Sequence, residues 1–420
     1  MSLSSRDQKN IWHPYTQMLD AKAPITIVRG EGACLFDEDG NKYIDAISSW
    51  WVNTHGHANA YIAEKVSEQI RILEHVIFAG FTHPKAIELA ERLLQHLPEN
   101  QSKIFYSDNG STAVEVGVKM ALQFWHNLGV KKTKIIAFNN AYHGDTFGAM
   151  SVSGRSVFTQ MFDEYLFDVI FIDVPFENKM DQLNDAIKND DVAAFIFEPL
   201  VQGASGMLMY PAEALEKMIS FCMKNDIITI ADEVMTGFYR TGKFFATDYI
   251  AEKPDIYCLS KGLTGGTMAM GVTTCTQKIF DAFLSSNKTK TFYHGHSYTA
   301  NPIACTAALA SLDLYEKSDC IANVERIIKN HQSFISSIKN HPFIKDIRQC
   351  GTIIAIELKT DSNTSYLNSI RDKIYDYFIQ RKIIMRPLGN IFYVMPPYCI
   401  TDEQLDEVYK AIRQFLDELE

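Results

Sequence analysis

The sequence predicts an α/β fold: a mostly parallel sheet covered by helices on both faces, accompanied by a smaller α+β domain. Three observations carry this expectation. Short β-branched runs alternate with helical stretches through the middle of the chain, the pattern of parallel strands buried beneath helices. The last third changes character, to isolated strand runs and one long amphipathic helix. The 420 residues, 46% hydrophobic and 22% charged, supply a large core and exclude disordered, collagenous or disulfide-stapled classes.

The predicted strands of the large domain are Lys103–Tyr106 (KIFY), Lys134–Phe138 (KIIAF), Asp168–Val174 (DVIFIDV), Val192–Phe197 (VAAFIF), Ile227–Ala231 (IITIA) and Asp255–Leu259 (DIYCL). Open α/β sheets bind ligands beyond the carboxyl ends of their strands, so functional residues are expected just after these runs. Farther on, Thr352–Leu358 and Ile391–Val394 read as strands. A final helix opens with a capping box, Thr401 and Gln404, and carries an apolar face of Leu405, Val408, Tyr409, Ile412, Phe415 and Leu416. The N-terminal stretch, with a turn at Asp37–Gly40, lacks a core of its own and is expected to join the C-terminal domain. The expected division is 1–54 as part of the small domain, 55–310 as the large domain and 311–420 as the rest of the small domain.

Forty basic against 51 acidic residues give a net charge of −11, which argues against nucleic acid or an anionic membrane surface as partner and favours a small ligand. No run reaches the roughly 18 apolar residues of a membrane span, and the N-terminus lacks the apolar core of a secretory signal. Cys34, Cys222, Cys258, Cys275, Cys305, Cys320, Cys350 and Cys399 include no C-x-x-C pair and read as free thiols. A cytoplasmic enzyme is expected.

Three segments carry chemistry. Ser107-Asp108-Asn109-Gly110-Ser111-Thr112 follows a strand and opens a helix, where unpaired N–H groups and the positive dipole end suit a phosphate; a Ser/Thr cap with a turn glycine explains the same residues. Neither G-x-G-x-x-G nor G-x-x-x-x-G-K-[ST] occurs, which disfavours dinucleotide and P-loop sites. Next, the apolar run before Asp232-Glu233 places a carboxylate at a strand end, where it can keep a heterocyclic nitrogen protonated or simply cap a helix. Finally, Lys261 follows the apolar run Asp255–Leu259 and Ser260, at the end of a strand expected to be buried. An ammonium there is costly unless its pKa falls or the amine is used covalently, as in an imine.

In this order, with Lys261 following Asp232 by 29 residues, the segments resemble the class III (ω-) aminotransferases of pyridoxal-phosphate fold type I. The stretches ADEVMTGFYRTG and PDIYCLSKGLTGG fit that family's signature, and the resemblance spans essentially the whole chain. It implies a seven-stranded sheet in the large domain, pyridoxal 5'-phosphate as cofactor and a homodimer with shared active sites. By the same resemblance Lys261 holds the cofactor, Asp232 pairs with its ring nitrogen and Tyr142 stacks on the ring. Gly110 and Ser111 form the phosphate turn, Gln202 lies near the phenolic oxygen, and Ser297 reaches the phosphate from the neighbouring subunit.

Within the family, Ile11–Met18 (IWHPYTQM), Ser48–Trp51 (SSWW), Arg386–Gly389 (RPLG) and Met395–Tyr398 (MPPY) are similar to members that aminate 8-amino-7-oxononanoate in biotin synthesis, usually with S-adenosylmethionine as donor. That similarity implies a substrate site of Tyr15, Trp50, Trp51, Tyr142, Lys261, Gly295, Arg386 and Tyr393. Aromatic walls would hold the aliphatic chain and the Arg386 fork its carboxylate. Tyr15 joins Lys261 and Asp232 as a catalytic candidate. His296-Ser297 stands where proline and threonine are commoner, which keeps lysine open as an alternative donor, whereas Tyr393 favours S-adenosylmethionine. Another ω-aminotransferase, acting on ornithine, 4-aminobutyrate or a diamine, is the alternative activity. His55-Gly56-His57 and His294-Gly295-His296 lack a third ligand at metal spacing, so no metal is expected. Glu198 and Arg240 read either as a pair tuning the cofactor or as a structural ion pair.

Overall fold

The computed structural model describes residues 1–176, 180–361 and 364–419. Its largest sheet has seven strands in the order Gln101–Ser107, Gly271–Thr276, Ile256–Leu259, Ile228–Asp232, Val192–Phe197, Lys134–Phe138 and Ile170–Ile172. Gly271–Thr276 runs antiparallel to both neighbours, and the other observed pairings in this sheet are parallel.

All six runs read from the sequence form strands of this sheet. Asp168–Val174 shortens to Ile170–Ile172, at an edge where it pairs on one side alone and is only partly covered. The seventh strand, GVTTCT, is the one the sequence reading did not locate. Its threonines dilute the apolar signal, yet every residue in it is buried.

Side-chain alternation shows why helices lie on both faces. In Lys134–Phe138, Ile135 and Ala137 join the cluster of the helix Gly110–Asn127, whereas Ile136 and Phe138 join that of Leu215, Met218 and Ile219 on the helix Ala212–Lys224. Val192–Phe197 is buried at every position, as a central strand covered on two sides requires.

The C-terminal part builds a three-stranded antiparallel sheet from Ile344–Cys350, Ile353–Leu358 and Ile391–Val394. The helix Asp402–Asp417 starts in the Thr401/Gln404 capping box and buries its whole predicted apolar face. Near the N-terminus, Ile27–Glu31, Cys34–Asp37 and Lys42–Asp45 form antiparallel strands, and Lys42–Asp45 pairs in parallel with Ile383–Ile384. The turn at Asp37 is held by its own carboxylate, which accepts the N–H groups of Asp39 and Asn41 and the Tyr43 hydroxyl. No helix among the described residues is long and apolar enough to cross a membrane.

Candidate active site

The strands Val192–Phe197, Ile228–Asp232 and Ile256–Leu259 run in parallel and end on one side of the sheet, with Asp232 level with Cys258. Glu198, Asp232 and Lys261 therefore emerge together at the wall of a cavity of about 670 Å³. Lys261 Nζ lies 4.6 Å from the centre of the Trp51 ring. Burial pushes its pKa down to about 8, against the carboxylates of Asp232 and Glu198, which pull it up.

Asp232 is buried and doubly held: Oδ2 lies 2.7 Å from His143 Nδ1, and Oδ1 accepts the Val234 N–H at 3.1 Å. His143 Nε2 is buried and has no hydrogen-bond partner among the described residues. A bare acceptor is cheaper to bury unpaired than an N–H, so the partners assign the proton to Nδ1, facing Asp232. The sequence alone assigns His143 no role. The one signal was its place directly after the aromatic residue.

The cradle opposite is built at the start of the helix Gly110–Asn127. Asn109 and Thr112 cap it reciprocally, leaving Gly110 and Ser111 in the first turn, where N–H groups have no intrahelical acceptor, on the cavity wall. The Ser111 hydroxyl is fixed by Thr146, 2.8 Å from its Oγ1 and 3.0 Å from its N–H. Glu115 anchors the same loop through Thr146 Oγ1 and the N–H groups of Gly148 and Ala149. Gly144, at φ +133°, must be glycine, because a Cβ there would overlap Ser111 Oγ.

The mouth is aromatic. The Tyr15 hydroxyl meets the Tyr142 hydroxyl at 3.0 Å and donates to Asp145, and the Tyr15 ring packs 5.3 Å from Trp50. Burial raises the Tyr15 pKa to about 12, so this phenol keeps its proton at neutral pH. The Arg386 guanidinium lies over Trp50 at 4.4 Å. Tyr15, Ser48, Ser49, Trp51 and Lys261 all adopt positive φ, a concentration of backbone strain around one cavity.

Of the residues singled out from the sequence, Gly110, Ser111, Trp50, Trp51, Tyr142, Asp232 and Lys261 line this cavity. Tyr15 and Arg386 adjoin it through Tyr142 and Trp50. Tyr393 instead stands behind the wall, its hydroxyl accepting the Trp51 indole N–H at 2.7 Å. Gln202 is fully buried outside the lining, with Nε2 donating to the Asn139 carbonyl. Gly295 and Ser297 lie on an exposed segment outside this cavity.

The structural ion pair considered for Glu198 and Arg240 is replaced by other contacts. Glu198 accepts the backbone N–H groups of Tyr142 and Gly203, and burial raises its pKa to about 7. Arg240 donates to the carbonyls of Pro396 and Trp51. The first histidine motif is taken up by hydrogen bonds within the protein: His57 pairs with Asp45 at 2.8 Å and His55 with Ser311 at 2.9 Å. In the second, His294 Nδ1 lies 3.0 Å from Lys119 Nζ. The described residues contain no cluster of three or more His, Cys, Asp or Glu placed to hold a metal.

A family model for aminotransferase class-III matches residues 16–416. The chain belongs to the class III aminotransferases. It is a pyridoxal-phosphate-dependent transaminase. It is 46% identical to the adenosylmethionine-8-amino-7-oxononanoate aminotransferase of Synechococcus elongatus, over 98% of this chain and 99% of that one. The Staphylococcus aureus enzyme of the same name is 36% identical, over 99% of this chain and 98% of that one. Among solved structures, the enzyme of that name from Methanocaldococcus jannaschii matches with a TM-score of 0.92 and 38% identity over 98% of both chains. An ω-transaminase from Pseudomonas jessenii in complex with PMP matches at 0.92 and 27% identity, over 100% of this chain and 98% of that one.

The residues present fit this cofactor. A lysine amine of lowered pKa and an aspartate whose imidazole partner has a free, buried second nitrogen share one cavity with a helix N-terminus shaped for an anion.

Proposed function

We propose that this protein transfers an amino group from S-adenosylmethionine to the ketone of 8-amino-7-oxononanoate, giving 7,8-diaminononanoate for biotin synthesis. The observation that carries the reading is the convergence of Lys261, the Asp232–His143 pair and an arginine-capped aromatic wall on one cavity. The names of its relatives support the choice of substrates.

Bound pyridoxal phosphate would supply an electrophilic carbon and an electron-accepting ring. The chain's own groups do the rest. Gly110 and Ser111 would hold the phosphate through N–H and hydroxyl hydrogen bonds, Tyr142 would lie against the ring, and Gln202 would support the phenolic-oxygen side of the site from behind the lining. Asp232, steadied by His143, holds a proton on the ring nitrogen. With its pKa near 8, Lys261 is neutral in a usable fraction at physiological pH; it would hold the cofactor and, when free, would move the proton of the donor α-carbon.

Arg386 is stacked on Trp50, which fixes its plane and leaves its N–H fork to grip the acceptor's carboxylate. Trp50, Trp51 and Tyr15 enclose the aliphatic chain and exclude water, with Tyr393 fixing Trp51 from behind. The Tyr15–Asp145 contact offers a carboxylate to a cationic donor at the mouth.

We also read the protein as a cytoplasmic homodimer with shared active sites, divided at 1–54, 55–310 and 311–420. Exposure of Tyr293 (72%) and Tyr298 (67%) around Gly295 and Ser297 supports a role for that segment at a second copy's site.

The test is an assay with 8-amino-7-oxononanoate as acceptor and S-adenosylmethionine or lysine as donor, reading the diamine by mass. Diamine formed with S-adenosylmethionine is expected. Diamine from lysine alone would reassign the donor, and none from either would reject the acceptor.

A further inference from the structure

Lys261 has φ +48°, in the left-handed region that a residue with a side chain rarely occupies and keeps only where the surroundings enforce it. What enforces it lies one residue on. The Gly262 carbonyl receives three donors: the Tyr315 hydroxyl at 2.7 Å, the Ser311 hydroxyl at 3.2 Å and the Gly265 N–H at 2.9 Å. Tyr315 and Ser311 project from the helix Pro302–Tyr315, and both are fully buried. Gly262 itself leaves no space, since a Cβ there would meet the Tyr315 hydroxyl and Phe238 at 3.1 Å.

The two hydroxyls are themselves fixed. Tyr315 gives its proton to Gly262, so Thr54 Oγ1, 2.5 Å away, donates to it. His55 Nε2 lies 2.9 Å from Ser311 Oγ, and the His55 ring packs on Tyr315 with centroids 4.2 Å apart. Phe238 stacks on the other side of Tyr315 at 5.5 Å and 22°. The group joins the N-terminal segment, a long helix and the lysine turn in one buried network.

We propose that Tyr315 and Ser311 are positioning residues that clamp the Gly262 carbonyl and thereby hold the strained Lys261 backbone in the orientation from which its amine serves the cofactor. This rests on Lys261 being the cofactor lysine. Neither hydroxyl touches the cavity, so they act only through the turn. The arrangement also gives a use to Thr54 and to His55 of the first histidine motif.

The experiment compares wild type, Tyr315→Phe, Ser311→Ala and the remote core variant Phe334→Leu as holoenzymes. It reads the pH titration of the bound cofactor's visible absorbance, the single-turnover rate with the amino donor, KM for that donor, and Tm. For Tyr315→Phe the absorbance midpoint is expected to move by about half a pH unit or more and the single-turnover rate to fall about five- to tenfold, with KM little changed. Ser311→Ala should move both in the same direction by less. Phe334→Leu should lower Tm alone.

Tyr315→Phe and Ser311→Ala that keep the wild-type midpoint and rate, whether or not Tm falls, would overturn the clamp. A Lys261→Ala variant that keeps the cofactor absorbance and full turnover would instead overturn the role of Lys261. The two failures are thus told apart.

Discussion

His143 Nδ1 sits 2.7 Å from Asp232 Oδ2, both buried at the end of the strand Ile228–Asp232. The pairing turns a strand-end carboxylate into an oriented one: the imidazole fixes one oxygen and the Val234 N–H the other, on the cavity wall. Replacing His143 by leucine removes one buried hydrogen bond to a charged group, worth about 1.5–3 kcal/mol. Turnover is expected to fall about ten- to a hundredfold, and pyridoxal phosphate to be released more readily on dilution. Steady-state kcat and equilibrium dialysis of the cofactor check this.

Gly144→Ala is expected to weaken cofactor binding about tenfold or more. The new Cβ would displace Ser111 Oγ, and φ +133° is unfavourable for alanine. Retention of wild-type affinity, measured by cofactor titration into the stripped protein, would show that Ser111 does not hold the phosphate.

Arg386→Ala should raise KM for 8-amino-7-oxononanoate about ten- to a hundredfold, the range of a lost charge-assisted fork, while the half-reaction with the donor keeps its rate. The split between the two half-reactions is the measurement. Equal loss in both would place Arg386 in the shared machinery instead.

Burial gives Lys261 a pKa of about 8 in the cofactor-free protein, below the usual lysine value. Between that pH and about 10.5 the unfolded chain binds more protons than the folded one, so this group's contribution to stability rises with pH across that window. Below it the folded protein bears the full penalty of a buried ammonium. The cofactor-free Lys261→Met variant is therefore expected to melt about 2–5 °C above wild type at pH 7, with the gap closing as pH rises through the window. Calorimetric scans at several pH values test it.

Two imidazoles, His55 half-buried and His331 fully buried, act at the acid end. Burial holds His55 down to about 3 and His331 down to about 4; His331 is bonded to Tyr409 and the Thr352 carbonyl. Both are neutral when folded, whereas an unfolded histidine takes its proton near pH 6.5. Their stabilisation is complete above that value and is lost as pH falls toward 4, at up to about 1.4 kcal/mol per pH unit for each group. His331→Gln should flatten the fall of stability between pH 6.5 and 4, read from denaturant midpoints.

The amino-acid sequence by itself determined the alternation of buried runs and helices, the capped final helix, and the positions of Asp232 and Lys261 at strand ends. Those features depend on local periodicity, capping chemistry and the rule that parallel strands deliver their ends to one side. The strand Gly271–Thr276 escaped because burial by two neighbours, not an apolar pattern, makes it a strand. Only the tertiary structure decided that His143 serves Asp232 across 89 positions of chain, that Tyr393 backs Trp51 across 342, and that Tyr315 and Ser311 grip Gly262. Pairings of that separation leave no trace in periodicity; they exist because packing the sheet against its helices and the N-terminal segment brings distant polar atoms together, and burial then obliges each to find a partner.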